Sequence, residues 1–382
     1  MTEAELDALR DHLARHGQLP GPVEVGAALR GLGMLVSDSV VRQTVAALRR
    51  DSIGAGPLEP LLKLPGVTDV LVNAPDQVYL DRGSGLEPAG ISFADEAEVR
   101  RLAVRLAASV ARRLDDGSPF VDARLPNGVR VHAVLGCVAD GGTCLSLRVP
   151  NRQRLSLGDW VASGSLGPLA AELLSGLIAQ RRAFLISGGT GSGKTTLLAA
   201  LLGLVPASER IVIAEDSREL QPDHPHCVRL ESRPANAEGS GALTLTDLVR
   251  QALRMRPDRL VVGEVRGAEL ADLLSALNTG HEGGCGTVHA NSAADVPARL
   301  EALGALGGLS REALHAQLGA ALQVLVHVRR LPDGRRWVDE VRLVAPDEAS
   351  GRCRTVPALR FRPDGGVESG PGAAALSELA GL

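Results

Sequence analysis

Residues 188–195 read Gly188-Gly189-Thr190-Gly191-Ser192-Gly193-Lys194-Thr195, matching GxxxxGK[ST] at every fixed position. A short apolar run, Ala183–Ser187, enters this segment and a leucine-rich run, Thr195–Leu204, leaves it with helical spacing. Strand, glycine turn and helix in that order wrap backbone N–H groups and a helix N-terminus around a phosphate. Lys194 then reaches the β- and γ-phosphates, and Thr195 offers a hydroxyl to Mg²⁺. With Thr196 behind it, the turn reads as a cradle for ATP and Mg²⁺. A dinucleotide fingerprint is excluded, because it needs a small residue where Lys194 stands. Lys194 is also one of only two lysines among 41 basic residues, so chance does not explain it well.

Chemistry belongs at the ends of neighbouring strands. Arg259-Leu260-Val261-Val262-Gly263-Glu264 is an apolar strand ending in an acid, which can hold Mg²⁺ through water or polarise the attacking water. Ile211-Val212-Ile213-Ala214-Glu215-Asp216 ends the same way and supplies a second carboxylate. With helices expected at 168–178, 195–204 and 246–254, the alternation predicts a parallel sheet covered by helices.

Upstream, Thr2-x-x-Glu5 reads as a capping box for a helix carrying Leu6, Leu9 and Leu13, stopped by Gly17, Pro20 and Pro22. A second helix follows with a stripe of Val40, Val41, Val45 and Leu48. Strands are expected at 67–73, 77–80, 129–134 and 144–149, around a helix from about Asp95 to Leu114. The expected organisation is a helical segment at 1–50, an α+β domain at 51–150, a linker at 151–165, the nucleotide domain at 166–345 and a loose tail at 346–382. The arginines of the long helix, Arg100, Arg101, Arg105, Arg112 and Arg113, read as a solvated face.

Composition bounds the partners. The 382 residues carry a net charge of −4 and 2% aromatics, so neither a general basic field nor base-stacking platforms for nucleic acid are expected. Five scattered cysteines without a CxxC pair indicate no disulfide framework. No apolar run approaches the roughly 20 residues of a membrane span, and acids near the N-terminus exclude a signal peptide there. A cytoplasmic protein, reaching a membrane only through partners, is the expectation.

Several segments now resemble one family. Ile213-Ala214-Glu215-Asp216-Ser217-Arg218-Glu219-Leu220 is similar to the Asp box of the type II and type IV secretion ATPases, and Gly263-Glu264-Val265-Arg266 to their Walker B. The run Thr279-Gly280-His281-Glu282-Gly283-Gly284-Cys285-Gly286-Thr287-Val288-His289-Ala290-Asn291 is similar to their His box. Arg233–Gly239, Leu253–Arg259, Gly56–Leu62, Val67–Asn73 and Asp122–Val131 resemble the tight-adherence pilus branch (CpaF/TadA-type). The resemblance implies a RecA-like P-loop domain behind a smaller α+β domain. It also implies a homohexamer on an inner-membrane platform, with ATP in a cleft between the domains.

It implies site roles as well. Arg254 and Arg256 become arginine-finger residues, although a helix C-terminus also suits them. Arg124, Arg130 and Arg148 become phosphate contacts, and His281 and His289 become sensors of the γ-phosphate or the subunit boundary. His281-x₃-Cys285-x₃-His289 has metal-like spacing but no evident fourth ligand, so no zinc is assigned. Competing readings are a DNA-translocating ATPase of conjugation and a nucleotide-gated scaffold. A P-loop kinase is disfavoured, since nothing resembles an acceptor lid.

Overall fold

The computed structural model describes residues 54–83, 85–150, 154–233, 235, 240–331, 334–347 and 349–382, preceded by 9, 21–31, 33, 36–42 and 44–45. Apart from Leu9, the helix expected from Thr2 to Leu13 lies outside these residues, as do Leu48, residues 151–153 and most of Arg233–Gly239. The chain divides into two compact units, Met1–Asn151 and Arg152–Leu382.

The first unit opens with α1 (Pro22–Gly31). Pro22, expected to stop a helix, begins one, because an N–H at a first helical position has no acceptor within the helix. Val25, Ala28 and Leu29 pack with Leu9, Val41 and Val45, which confirms the valine stripe where it is described. An antiparallel sheet follows, built from β1 (Asp69–Ala74), β2 (Gln77–Asp81), β3 (Leu86–Pro88), β4 (Phe120–Arg124), β5 (Arg130–Val134) and β6 (Cys144–Arg148), in the order β3-β2-β1-β6-β5-β4. Residues alternate across it: Val70, Val72, Val131, Ala133, Leu145 and Leu147 bury beneath α2 (Glu96–Ala108), and the other face mixes polar residues with Leu71, Tyr79 and Phe120.

Asp95 caps α2, its Oδ1 accepting from the Glu98 N–H at 2.8 Å. The helix stops six residues short of Leu114. Ala111 turns left-handed at φ 56°, and the Arg112 N–H closes onto the Ala107 carbonyl at 3.0 Å. No glycine announces that end. Arg100 and Arg113 pair with Asp116 and Asp115 at the surface, in keeping with a solvated face.

The second unit is a nine-stranded sheet between two helical layers. Its strands are β7 (Phe184–Gly188), β8 (Ile211–Glu215), β9 (Cys227–Glu231), β10 (Arg259–Val265), β11 (Cys285–His289), β12 (Val324–Arg330), β13 (Arg336–Asp347), β14 (Arg352–Phe361) and β15 (Val367–Ser369), ordered β15-β14-β13-β12-β7-β11-β10-β8-β9. From β12 to β9 neighbours run parallel, and β13 to β15 add an antiparallel wing.

Both faces of the parallel part are apolar. Phe184, Ile186, Ile211 and Ile213 face α3 (Leu157–Ala162), α4 (Pro168–Ala179), α5 (Lys194–Leu202) and α10 (Ala373–Ala380). Leu185, Val212 and Ala214 face α6 (Leu245–Leu253), α7 (Glu269–Leu277), α8 (Val296–Leu306) and α9 (Arg311–Ala321). Continuous apolar strands are what a sheet covered twice requires.

Two expected boundaries change. The stretch read as a linker carries α3, whose Ser156–Asp159 capping box is complete and whose Leu157 and Trp160 enter the main core. The stretch read as a loose tail supplies β14, β15 and α10, with Leu376 fully buried in the same core. Glycines near residue 370 mark a tight connection: the Gly370 N–H donates to the Ala358 carbonyl at 2.7 Å.

Candidate functional site

Parallel strands place all their C-terminal ends on one edge, and four of them converge there. His289 pairs in register with Gly188, Val288 with Val265, and Val262 with Ala214, so Gly188, Glu215, Glu264 and His289 share that edge. Between β7 and β8 the chain crosses over β11 and β10, so the loop after β7 opens at a switch point of the sheet, where α/β ligands bind.

The loop itself is built around the Lys194 ammonium. Its Nζ donates to the carbonyls of Gly188 at 3.0 Å and Gly189 at 2.9 Å, and Lys194 is only 8% exposed. Burial pulls its pKa down, while Glu264 holds it up. Ser192 Oγ donates to the Gly189 carbonyl at 2.9 Å, closing the turn. Gly191 and Gly193 take left-handed φ of 69° and 97°, a conformation that side chains resist. Gly193 caps α5, which starts at Lys194 and carries Thr195 and Thr196 in its first turn. Thr190 Oγ1 lies 3.4 Å from His289 Nε2, tying the loop to β11.

The two carboxylates occupy different environments. Glu264 is partly exposed: Arg266 donates to its Oε2 at 2.7 Å, and His289 Nδ1 lies 3.9 Å from its Oε1. Arg266 also reaches toward Asp216 at 3.9 Å. Glu215 is 3% exposed, and its Oε1 accepts the N–H groups of Glu219 at 3.0 Å and Leu220 at 2.9 Å. Its Oε2 is buried with no protein partner. Burial, opposed by those N–H groups, raises its pKa to about 7. A carboxyl with a pKa near working pH is suited to exchange a proton. His289 is pushed toward its neutral form by burial and then by the Lys194 charge.

The remaining expected residues sit elsewhere. His281 precedes β11 and therefore lies on the opposite edge of the sheet from the phosphate loop, its Nδ1 buried without a partner. A γ-phosphate held at Lys194 of the same subunit is out of its reach. Cys285 opens β11, and burial raises its thiol to about 12. Among the described residues no cluster of three or more His, Cys, Asp or Glu side chains is arranged to hold a metal ion.

Arg254 caps the C-terminus of α6, and Arg256 stands two residues on with φ 54°. Both are exposed and precede β10, on that same far edge. In the first unit, Arg124, Arg130 and Arg148 form one row: Arg124 pairs with Arg130 across β4 and β5, and Arg130 with Arg148 across β5 and β6. Arg148 Nε donates to Asp69 at 3.1 Å.

The sequence analysis gave no role to three arginines that the fold brings to the loop. Arg266 holds Glu264, as described. Arg330 and Arg336 lie directly opposite each other where β12 turns into β13. Their signal is legible in hindsight, as Arg329-Arg330 and Arg335-Arg336 flank Pro332-Asp333-Gly334, a turn sequence.

A strand, a left-handed glycine loop closed on a buried lysine, and an acid at the end of a nearby parallel strand define a RecA-like P-loop ATPase domain. The model of the type II/IV secretion system protein family matches residues 51–357, and the chain belongs to that family. A Mycobacterium tuberculosis protein provisionally named as a conjugal transfer protein is 54% identical over 351 residues, covering 90% of this chain and 98% of the relative. The type IV secretion system protein VirB11 of Brucella suis is 32% identical over 283 residues, covering 67% of this chain and 78% of its own. Two solved structures share the fold. The pilus retraction motor PilT with bound ADP has a TM-score of 0.53 at 23% identity, covering 75% of this chain and 81% of that one. The Yersinia pseudotuberculosis ATPase DotB has 0.55 at 17%, covering 80% and 81%. No helix among the described residues is long and apolar enough to cross a membrane.

Proposed function

We propose that this ATPase is the subunit of a homohexameric motor of the tight-adherence branch (CpaF/TadA-type). It hydrolyses Mg·ATP at the cytoplasmic face of the inner membrane and drives pilus assembly or secretion through a membrane platform. The observation that carries the reading is the meeting of Lys194, Glu264 and His289 at one sheet edge beside the loop. The donor set also fits Mg²⁺: Thr195 and Glu264 offer hard hydroxyl and carboxylate oxygens and no thiol. Mg²⁺ bound there neutralises charge on the β- and γ-oxygens.

In the proposed reaction Lys194 holds those oxygens while water attacks the γ-phosphorus. The bond to the bridging oxygen breaks, ADP and phosphate leave, and a carboxylate takes the water's proton. Glu264 orients the water, and Glu215, with its pKa of about 7, takes up that proton. His289 senses the γ-phosphate through Thr190. Arg254 and Arg256, on the far edge, act on the site of a neighbouring subunit, where His281 belongs to the subunit boundary. The row Arg124–Arg130–Arg148 is an anion-binding surface for nucleotide phosphate. Lys194→Ala and Glu264→Gln should each lower turnover about 100-fold or more, the scale of removing one charge-stabilising group. Parent-like hydrolysis in either variant refutes the reading.

The likeness to a conjugal transfer protein along 90% of the chain favours a second reading, a motor of DNA transfer. Its mark is hydrolysis stimulated by single-stranded DNA and suppressed by added salt. With a net charge of −4 and 2% aromatics, we expect no stimulation.

A further inference from the structure

We infer that Arg330 and Arg336, at the facing ends of β12 and β13, hold the α- and β-phosphates of the nucleotide in the same subunit as the phosphate loop. The inference rests on the nucleotide reading of that loop. Arg330 and Arg336 are register partners across an antiparallel pair. Like charges directly opposite destabilise such a pair. The two arginines lie over the two left-handed glycines. Arg330 Nη1 is 3.9 Å from where a Cβ of Gly191 would stand, and Arg336 Cδ is 2.6 Å from where one of Gly193 would stand.

The Arg336 stem shares that space with the edge of Trp160, whose Cη2 lies 3.2 Å from the same point. Trp160 is 2% exposed and its indole N–H has no acceptor. Burial and then the Arg330 charge pull the Arg336 pKa down, as expected of a cation held next to another cation.

An anion with several charges suits two arginine side chains held over the glycines of the loop. In a P-loop the backbone N–H groups beside these glycines cradle the α- and β-phosphates, which ATP and ADP share. The arginine pair therefore contributes affinity common to both nucleotides and does not discriminate the transition state, unlike an arginine finger.

The test is calorimetric binding of Mg·ADP and of a non-hydrolysable ATP analogue to the full chain, beside hydrolysis. Variants are Arg330→Gln, Arg330→Lys, Arg336→Met, Arg336→Lys and Lys194→Ala. Arg336→Met keeps the stem over Gly193, and Arg330 is exposed, so thermal melting of both should match the parent. We expect Arg330→Gln and Arg336→Met each to weaken both nucleotides about tenfold, the scale of a hydrogen bond to a charged group, with partial recovery in the lysine variants. Parent-like binding in both, with Lys194→Ala weakened, overturns the clamp and leaves the loop reading intact. Loss of turnover with unchanged affinity also overturns it. Parent-like binding by Lys194→Ala overturns the loop reading and the clamp with it.

Discussion

Gly263 has no side chain because Glu215 occupies its place: a Cβ there would stand 2.5 Å from Glu215 Cγ. The glycine ahead of Glu264 thus lets the Glu215 side chain lie against β10, between the two acidic strand ends. Gly263→Ala should displace Glu215 and destabilise the domain by about 1–3 kcal/mol, measurable by urea unfolding, with turnover falling too. Glu215 itself makes stability depend on pH. Its folded pKa of about 7 lies above its ordinary value of 4.5, so the protonated form is favoured on folding. Its contribution is therefore complete below pH 4.5 and is lost as pH rises toward 7. Across that window the parent should lose about 3 kcal/mol relative to Glu215→Gln, at 1.36 kcal/mol per unit. Unfolding of both proteins at pH 5 and pH 8 reads this directly, and an unchanged difference contradicts it.

At the scale of elements, the antiparallel wing and α10 complete the core that the parallel strands begin. Leu376 is 0% exposed among residues of that core, and α10 lies so close to α4 that a Cβ on Gly176 would stand 2.3 Å from the Ala380 carbonyl. Leu376→Ala should cost about 2–5 kcal/mol and lower the melting temperature without changing nucleotide affinity. A tail that merely hangs from the domain would tolerate the change. Local patterning did not reveal this helix, because an eight-residue segment after a glycine-rich turn has a weak signal of its own and is held by packing. The parallel strands were legible for the opposite reason. Val212, Ile213 and Val261 are apolar on both faces, which only a doubly covered sheet allows.

At the scale of the whole molecule, Arg254 and Arg256 stand across the sheet from Lys194, so a finger role requires two subunits. If so, mixing Arg256→Ala with Lys194→Ala subunits should restore measurable hydrolysis, since one supplies the loop and the other the arginine. Mixtures that stay as inactive as their components argue for a helix-terminus role alone. If the site is shared between subunits, hydrolysis per subunit should also climb with protein concentration and then saturate.

The motif from Gly188 to Thr195, the acids at 215 and 264 and the strand–helix alternation were readable in the chain, because phosphate binding and a covered parallel sheet each impose local rules on neighbouring residues. The partition of the histidines was not: His281 and His289 are eight positions apart, yet a strand carries them to opposite edges of the sheet. Nor was the gathering of Arg124, Arg130 and Arg148 into one row, or of Arg330 and Arg336 over the loop, since strand register alone makes them neighbours. Sequence encodes the local chemistry through spacing; which distant charges share a site is decided by the pairing of strands, a property of the packed whole.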